Sequence, residues 1–271
     1  MSEVRTLVTG LRFGESPRWH AGRLWLCNWG ASEVLAVDLD GKSEVMATVP
    51  TTIPFSIDWL ADGTLVVVSG QEGLLLRQEA SGALVPYADL RAIDQGFNEI
   101  VVDGRGNAYV NFGIIALVTP DGAVRQVADN IAFGNGMAVT PDNSTLIVAE
   151  SHAHKLTAFS IGPDGSLTDR RVWADLNGDS PDGICLDSEG AVWYASVPGQ
   201  NCVRVREGGQ VLQTIDVGRG CFACMLGGPD NRTLFMLAAE WLGMDKMVEA
   251  LDARTGQVLT ALAPAPHAGW P

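Results

Sequence analysis

The stretch VTPDNSTLIVAES, residues 139–151, decides the fold, because it joins a polar turn to a run of alternating apolar residues. The same pattern, with Gly or Asp-Asn in the turn, occurs at Trp19–Asn28, Asp58–Gly70, Val101–Gly113, Cys185–Ser196 and Leu226–Ala238. Alternation with a period of two is typical of β-strands, and a short polar turn beside it is typical of hairpins. Each stretch is therefore predicted to be a hairpin turn that enters an inner strand of a sheet.

A second alternating run with its own turn follows these stretches, as in Glu33–Val49 and Lys155–Trp173. Each unit then holds about four strands, and the units recur about every forty residues, which is the length of one propeller blade. No long amphipathic helical pattern interrupts the series. The repeat predicts an all-β fold, a six-bladed β-propeller that forms a single domain over residues 1–271. Strand Val4–Leu11 is expected to complete the last blade and to remove an exposed sheet edge.

The charge balance limits the partners. Asp and Glu outnumber Lys and Arg by 32 to 18, which gives a net charge of −14. This charge repels nucleic acid and anionic membrane surfaces, so neither is an expected partner. No run of about 18 apolar residues occurs, and the N-terminus lacks a basic stretch followed by an apolar run, so the protein is expected to be cytoplasmic. The sequence makes no prediction of the oligomeric state.

The cysteines show no disulfide framework. Their number is odd and their spacing irregular, so reduced thiols are expected at Cys27, Cys185, Cys202, Cys221 and Cys224. Cys221 and Cys224 have the spacing of a redox or zinc pair, but there is no second pair and no βαβ context. A functional role for this pair is the less favoured alternative.

Four polar residues stand just before inner strands, at similar distances from the hairpin turns: Glu15, Asn98, Asn135 and Asp182. In a propeller these positions converge at one mouth of the central channel. Two carboxylates and two amides form a hard oxygen ligand set, which suits Ca²⁺, Mg²⁺ or Mn²⁺ better than Zn²⁺, although Zn²⁺ and Fe²⁺ stay open. Asn-Gly and Asp-Gly are also ordinary turn formers. Their recurrence at matched blade positions favours a site for one divalent metal ion, without which Glu15 and Asp182 would repel each other.

These residues also carry a family resemblance. Along essentially its whole length the chain resembles the gluconolactonase, regucalcin (senescence marker protein) and luciferin-regenerating enzyme family. The motifs that carry the resemblance, in order, are Gly14–Trp19, the Asn98 segment, Phe133–Met137 with the following Pro141-Asp142, and Pro181–Cys185.

The resemblance implies a six-bladed propeller with a divalent metal, usually calcium, bound by residues matching Glu15, Asn135 and Asp182. It also implies that Asn98 faces the metal or the substrate, and that the chain hydrolyses lactones. The chain departs from the sugar-lactonase pattern at Gly96, where those enzymes commonly carry an Arg, and at Glu99, where Asp is usual.

Aromatic residues are frequent around the predicted mouth. Those assigned to substrate contact are Trp29, Phe55, Phe97, Phe133 and Phe222, and Phe112 lies in the same region. They predict a pocket more apolar than a sugar lactone needs. The expected small-molecule substrate is therefore either a sugar lactone or, as the aromatic residues suggest, a less polar lactone or ester. The alternative is that several of these aromatics pack between blades.

The predicted mechanism needs no nucleophilic side chain. The metal polarises the substrate carbonyl, Asp182 binds the metal and also acts as general base toward the attacking water, and Asn98 orients the carbonyl. A serine triad is improbable because no Gly-x-Ser-x-Gly motif occurs. His152 and His154 are predicted to lie in a solvated loop, and Glu150 either supports the metal ligands or is a surface carboxylate. Pro264–Pro271 is predicted to lie against the propeller.

The sequence also allows other functions. A propeller can bind calcium or other proteins with little catalysis, and the same scaffold can carry another metal-assisted reaction, such as phosphotriester hydrolysis. The matched polar positions favour the lactonase over a purely structural role.

Overall fold

Each repeat folds as one blade. In the computed structural model, which describes residues 3–271, the chain forms six four-stranded antiparallel sheets. The innermost strands of successive sheets contact each other in turn, and the last contacts the first. The predicted all-β six-bladed propeller is confirmed. The boundaries of a single domain over residues 1–271 stay a prediction, and Met1 and Ser2 lie outside the described residues.

The strand bounds follow the predicted period. The first twelve strands are β1 (Arg5–Leu11), β2 (Gly14–His20), β3 (Arg23–Asn28), β4 (Glu33–Val37), β5 (Ser43–Thr48), β6 (Phe55–Trp59), β7 (Leu65–Ser69), β8 (Leu74–Gln78), β9 (Leu84–Asp89), β10 (Glu99–Val102), β11 (Ala108–Asn111) and β12 (Ile115–Val118). The remaining strands are β13 (Val124–Ala128), β14 (Gly134–Val139), β15 (Thr145–Glu150), β16 (Lys155–Ile161), β17 (Leu167–Asp175), β18 (Pro181–Leu186), β19 (Val192–Ser196), β20 (Asn201–Val205), β21 (Val211–Asp216), β22 (Gly220–Gly227), β23 (Thr233–Ala239) and β24 (Gly256–Leu262).

Helical structure is short. Within the described part of the chain, one α-helix, α1, spans Met247–Asp252, and short 3-10 helices span Trp29–Ala31, Ser151–Ala153 and Met244–Lys246. No helix among residues 3–271 has the length and apolar character needed to cross a membrane.

The ring is closed by strands from both ends of the chain. Strand β1 pairs antiparallel with β24, with Arg5 opposite Thr260 and Thr6 opposite Leu259. Counted along the chain, the first five blades are β2–β5, β6–β9, β10–β13, β14–β17 and β18–β21, and the sixth blade has the order β1-β24-β23-β22. This confirms the predicted closure, which covers the edge that β24 would otherwise expose.

The core lies between the blades. Because both faces of each sheet are covered by neighbouring blades, the inner strands are apolar on both faces, as in Leu65–Ser69 and Val192–Ser196, which are buried throughout. Phe97 belongs to this core. It is 2% exposed and packs in a cluster that contains Val66 and Ile100. Its predicted place among the substrate contacts is corrected, because its side chain lies between blades and not at the mouth of the channel.

The C-terminal segment lies against the propeller, as predicted. The backbone of Trp270 exchanges two hydrogen bonds with Val139, at N···O distances of 2.7 and 2.9 Å. His267 forms a similar bridge to Asp187. The segment thus joins the turn ends of the fourth and fifth blades, away from the predicted mouth.

An insertion of residues 240–255 joins β23 to β24 and contains α1. It packs on the short 3-10 turn of the first blade, where a Cβ atom on Gly30 would lie 2.9 Å from the Leu251 carbonyl oxygen. The Glu240 backbone N–H donates to Thr255 Oγ1 at 3.1 Å, and Arg219 Nη1 donates to the Thr255 carbonyl at 3.0 Å. The first of these bonds joins the two ends of the insertion, and the second ties its C-terminal end to the body of the propeller.

Candidate metal centre

Strand register places the predicted ligands at one height. Glu15, Asn135 and Asp182 are each the second residue of an innermost strand, β2, β14 and β18, and Asn98 immediately precedes β10. The residue that precedes each of these three ligands is paired with the last residue of the next strand: Gly14 is opposite Asn28, Gly134 is opposite Glu150, and Pro181 is opposite Ser196. All four predicted residues line the same cavity.

The three strands that carry Glu15, Asn135 and Asp182 also share a local irregularity. Their register shifts between Glu15 and Arg18, between Gly134 and Met137, and between Pro181 and Ile184. A β-bulge changes the direction in which a side chain points, and bulges are frequent beside functional sites. Each bulge lies directly beside the predicted ligand, near the first residue of its strand.

Asn135-Gly136 and Asp182-Gly183 lie inside strands, so their interpretation as ordinary turns is wrong. Gly136 allows close approach of neighbouring blades, because a Cβ atom there would lie 2.4 Å from the backbone nitrogen of Ile184. A Cβ atom on Gly183 would lie 2.6 Å from Ala223 Cβ. Glycine is required at both positions so that the innermost strands can converge around the channel.

The ionised forms of the two predicted carboxylate ligands are disfavoured by their surroundings. Burial raises the pKa of Glu15 well above its usual value, and the charges of Asp182 and Glu99 raise it further. Burial also raises the pKa of Asp182, with a contribution from Glu99, while a hydrogen bond from the Asn135 amide opposes the shift. Carboxylates held together in a buried place favour a bound cation or protonation. This agrees with the repulsion predicted from the sequence.

A buried arginine lies next to these carboxylates and was not recognised as part of the site from the sequence. Arg18 Nη2 donates to Glu99 Oε1 at 3.2 Å and to the Ile100 carbonyl at 2.6 Å. Its Nε lies 3.7 Å from Asp58 Oδ2. Ser16 Oγ also donates to Glu99 Oε1, at 3.0 Å. Glu99 is thus already engaged by Arg18 and Ser16, which distinguishes it from Glu15 and Asp182.

The two amides are held by the backbone around them. Asn98 Nδ2 donates to the Gly134 carbonyl at 3.1 Å, which fixes the plane of its side chain. The fully buried Asn111 was not predicted as part of the site; its Nδ2 donates to the Asn135 carbonyl at 2.7 Å. Asn111 therefore holds the backbone of a predicted ligand in place.

The donor set fits a hard cation. Among residues 3–271 no group of three or more His, Cys, Asp or Glu side chains is arranged to hold an ion on its own. The carboxylates of Glu15 and Asp182 and the amide oxygen of Asn135 are the donors that would hold an ion at this place. An all-oxygen set with two carboxylates suits Ca²⁺ in particular, because Ca²⁺ accepts carbonyl oxygens and flexible geometry.

The cavity above these residues has a volume of about 480 Å³, within the usual range for small-molecule sites. Of the predicted aromatic contacts, Trp29, Phe55, Phe133 and Phe222 line it, as does Phe112. Phe97 does not. Phe13, Trp241, Met244 and Met247 also line the cavity and were not predicted.

Two further residues discussed from the sequence, His152 and Glu150, lie in different environments. His152 is exposed, as predicted, but it also lines the cavity and contacts Phe133 at a ring distance of 4.5 Å. Glu150 is 1% exposed and binds Lys155 and Arg170, so it is a buried structural carboxylate rather than a surface one. It does not line the cavity.

The five cysteines are all free and buried. Burial raises the pKa of the Cys224 thiol well above its usual value, and its Sγ contacts the carbonyls of Gly183 and Trp193. Reduced thiols are thus found throughout, and Cys221 and Cys224 belong to the core between the fifth and sixth blades.

Comparison with known proteins relates the whole chain to one family. The model of the SMP-30/Gluconolactonase/LRE-like region matches residues 13–240. Regucalcin of Gallus gallus is 24% identical over 307 residues, which cover 99% of this chain and 100% of that protein. Pentonolactonase XacC of Haloferax volcanii is 24% identical over 282 residues, 97% of this chain and 93% of that protein. A solved structure of luciferin-regenerating enzyme has a TM-score of 0.84 at 17% identity and covers 99% of this chain and 98% of that chain.

Proposed function

Because the chain belongs to the SMP-30/gluconolactonase/LRE-like family, whose model matches residues 13–240, we propose that it hydrolyses lactones with the help of one divalent metal ion. The observation that carries the proposal is the meeting of Glu15, Asn135 and Asp182 at one height in the channel, beneath a cavity large enough for a small molecule. The name of the pentonolactonase relative supports lactone opening as the reaction class.

Glu15, Asn135 and Asp182 would hold the ion, and Ca²⁺ fits their oxygens best. When bound, the ion supplies Lewis-acid polarisation of the lactone carbonyl. The mutual repulsion of Glu15 and Asp182 is then relieved by opposite charge, which explains how the two carboxylates can be kept together although Arg18, beside Glu15, is already engaged by Glu99 and Asp58.

Asp182 acts as the general base in this proposal. Its carboxylate takes a proton from the attacking water, the water oxygen bonds to the lactone carbonyl carbon, and the ring ester bond breaks. The alkoxide that leaves takes up the proton that Asp182 received, so the product is a hydroxy acid and the Asp182 carboxylate is regenerated. The Asn135 side chain lies close enough to Asp182 to lower the pKa of its carboxyl group, and it helps to keep the carboxylate in position.

Asn98 orients the substrate. Its Nδ2 is engaged by the Gly134 carbonyl, so its amide plane is fixed before the substrate arrives. A preorganised polar group costs less reorganisation in the transition state than a mobile one. The cavity above it favours turnover of a small molecule over a role limited to calcium storage, since a storage site needs no such space. The proposal requires one ion and a small-molecule substrate as partners.

The test is hydrolysis of a lactone panel by protein treated with a chelator, before and after single divalent metals are added back. The panel runs from gluconolactone to dihydrocoumarin. Turnover that returns with Ca²⁺ or another divalent ion would support the proposal. Absence of turnover with every ion, in protein that still binds the ion by calorimetry, would refute the lactonase and favour the calcium-binding alternative.

A further inference from the structure

The cavity is divided into two chemically different parts. The polar floor consists of Glu15, Asn98, Asn135 and Asp182, at the ends of innermost strands. The apolar wall consists of Phe13, Trp29, Phe222, Trp241, Met244 and Met247. A site with this division fits a ligand that has a polar reacting group at one end and an apolar group at the other.

The four aromatic rings of the apolar wall contact one another. The rings of Phe13 and Phe222 lie 4.4 Å apart, and Phe222 contacts Trp241 edge-on at 5.5 Å. Phe13 also stacks with Trp29 at 5.8 Å. The wall combines side chains from the first blade, the sixth blade and the insertion of residues 240–255. These contacts keep the rings in place without a ligand.

The insertion adds adaptable apolar side chains at the mouth. Met244 lines the cavity although 69% of its surface is exposed, and Met247 lies beside it, half-buried. Methionine is flexible and polarisable, so it fits apolar groups of varied shape. An exposed methionine at the mouth gains burial when an apolar group enters.

Several polar side chains of the lining are already hydrogen-bonded within the protein and are not free to bind a polyhydroxy substrate: Ser16 Oγ donates to Glu99 Oε1, and Ser151 Oγ donates to the Pro181 carbonyl. No Lys or Arg is among the described residues that line the cavity. Gln71 is the long amide of the lining, and its Nε2 already donates to the Ile53 carbonyl at 2.7 Å. A sugar lactone needs several donors and acceptors for its hydroxyls, because each buried hydroxyl without a partner costs free energy.

We propose that the substrate is an uncharged lactone with an apolar alkyl or aryl substituent, and that the apolar wall binds this substituent while the polar floor acts on the ring. The inference rests on the proposed function. Trp241, Met244 and Met247 of the insertion are then specificity-determining residues for the same reaction.

The experiment measures kcat/KM for γ-lactones whose side chain grows from methyl to heptyl, with gluconolactone for comparison. Each buried methylene should raise kcat/KM about fourfold until the chain reaches solvent. Met244→Ser and Trp241→Ala should reduce this factor to about twofold or less. Met244 is mostly exposed, so its substitution does not threaten folding. The matched control is Val172→Ser on β17, at a residue that is 58% exposed and far from the cavity lining.

Binding of 2-alkylcyclopentanones, which cannot be hydrolysed, separates this inference from the proposed function. Calorimetry should show dissociation constants that fall with chain length in the unmodified protein and in Val172→Ser, and much less in Met244→Ser. This pattern without any lactone turnover would support the apolar site and refute the lactonase. Lactone turnover with a flat chain-length profile in both assays, or with gluconolactone as the preferred substrate, would overturn the inference and leave the lactonase standing.

Discussion

Arg18 and Glu99 form an ion pair inside the channel, with Nη2 and Oε1 3.2 Å apart and both side chains less than 10% exposed. The pair joins the first blade to the third. Asp58 of the second blade lies on the other side of the guanidinium, at 3.7 Å. One cation is thus shared by two carboxylates next to the proposed metal ligands, so Arg18 links the stability of the ring to the charge of the site.

Replacing Arg18 with Met should lower stability and tighten calcium binding. The substitution leaves Glu99 and Asp58 buried without their cation, and breaking a buried pair in this way costs about 3–5 kcal/mol. It also removes a positive charge that acts on Glu15, which favours a bound cation. Thermal unfolding with and without calcium, together with calorimetric titration, measures both effects.

Arg204→Met is the matched control. Arg204 Nε binds the buried Asp187 at 2.6 Å in the fifth blade, and neither residue lines the cavity. This variant should lose comparable stability and keep its calcium affinity. Equal calcium affinity in Arg18→Met and Arg204→Met would show that Arg18 does not act on the metal centre.

Two substitutions of the predicted ligands should separate metal binding from catalysis. Asp182→Asn keeps an oxygen ligand but loses the base, so most activity should be lost while part of the metal affinity remains. Glu15→Gln removes a carboxylate that has only a ligand role, so the metal affinity should fall first and excess metal should restore turnover. Activity and calorimetry are measured on the same preparations. Activity of Asp182→Asn equal to that of the unmodified protein would exclude Asp182 as base.

The fold was predictable because the blade signal is local and repeated. A polar turn beside an alternating run, as in residues 139–151, specifies a hairpin from neighbours in sequence alone. The repeat length of about forty residues then gave the number of blades. Glu15, Asn98, Asn135 and Asp182 could be recognised because they occupy matching positions in their repeats. The strand that closes the ring followed from the need to cover an edge.

The sequence did not predict contacts between residues far apart in the chain or the role of residues outside the repeat. Arg18 and Glu99 are 81 residues apart, and no local pattern relates them. Phe55 and Phe97 both stand near the start of an innermost strand and both are buried in the core between blades, yet of the two only Phe55 also lines the cavity. No local pattern distinguishes the two positions. Residues 240–255 belong to no repeat, so the contribution of Trp241 and Met244 to the cavity had no signal in the sequence.

The chelator-treated protein should become less stable as the pH rises. Burial raises the pKa of Asp58 to about 6, and it raises the pKa values of Glu15 and Asp182 well above their usual range. An unfolded Asp has a pKa of about 3.9. A carboxyl group whose pKa is raised in the folded state contributes stability that is complete below the unfolded value and is lost as the pH passes the folded value. The loss should therefore extend from about pH 4 to above pH 6.

The measurement is the melting temperature between pH 5.5 and 8.5, with chelator and with saturating calcium. Calcium should remove most of the decline, because the bound cation stabilises the ionised carboxylates. In chelator, Glu15→Gln should melt about 2–6 °C higher than the unmodified protein at pH 8, as expected when one of two repelling buried carboxylates is removed. A Glu15→Gln melting temperature equal to or below that of the unmodified protein would contradict the raised pKa of Glu15.

Gly136→Ala should destabilise the channel itself. The new Cβ atom would lie 2.4 Å from the Ile184 backbone nitrogen, so the fourth and fifth blades must move apart, at a cost of about 1–3 kcal/mol. Gly113→Ala is the control, since a Cβ atom there meets nothing within 4 Å. Chemical denaturation should show a loss only for Gly136→Ala, accompanied by weaker calcium binding. Equal stability of the two variants would mean that the blades do not approach each other so closely.

Position 96 should control the choice between polar and apolar lactones. Gly96 lies in the connection before β10, its backbone is not in the left-handed region, and the single contact of a new Cβ atom would be Phe112 Cδ1 at 3.7 Å. A Cβ atom is therefore accommodated here, beside a residue that lines the cavity. Gly96→Arg adds hydrogen-bond donors at the mouth and should shift the ratio of kcat/KM for gluconolactone and γ-nonalactone at least about tenfold toward gluconolactone. Gly96→Met has a similar length without donors, so it should shift the ratio in the opposite direction. Parallel shifts in the two variants would show that side-chain bulk, and not polarity, acts at this position.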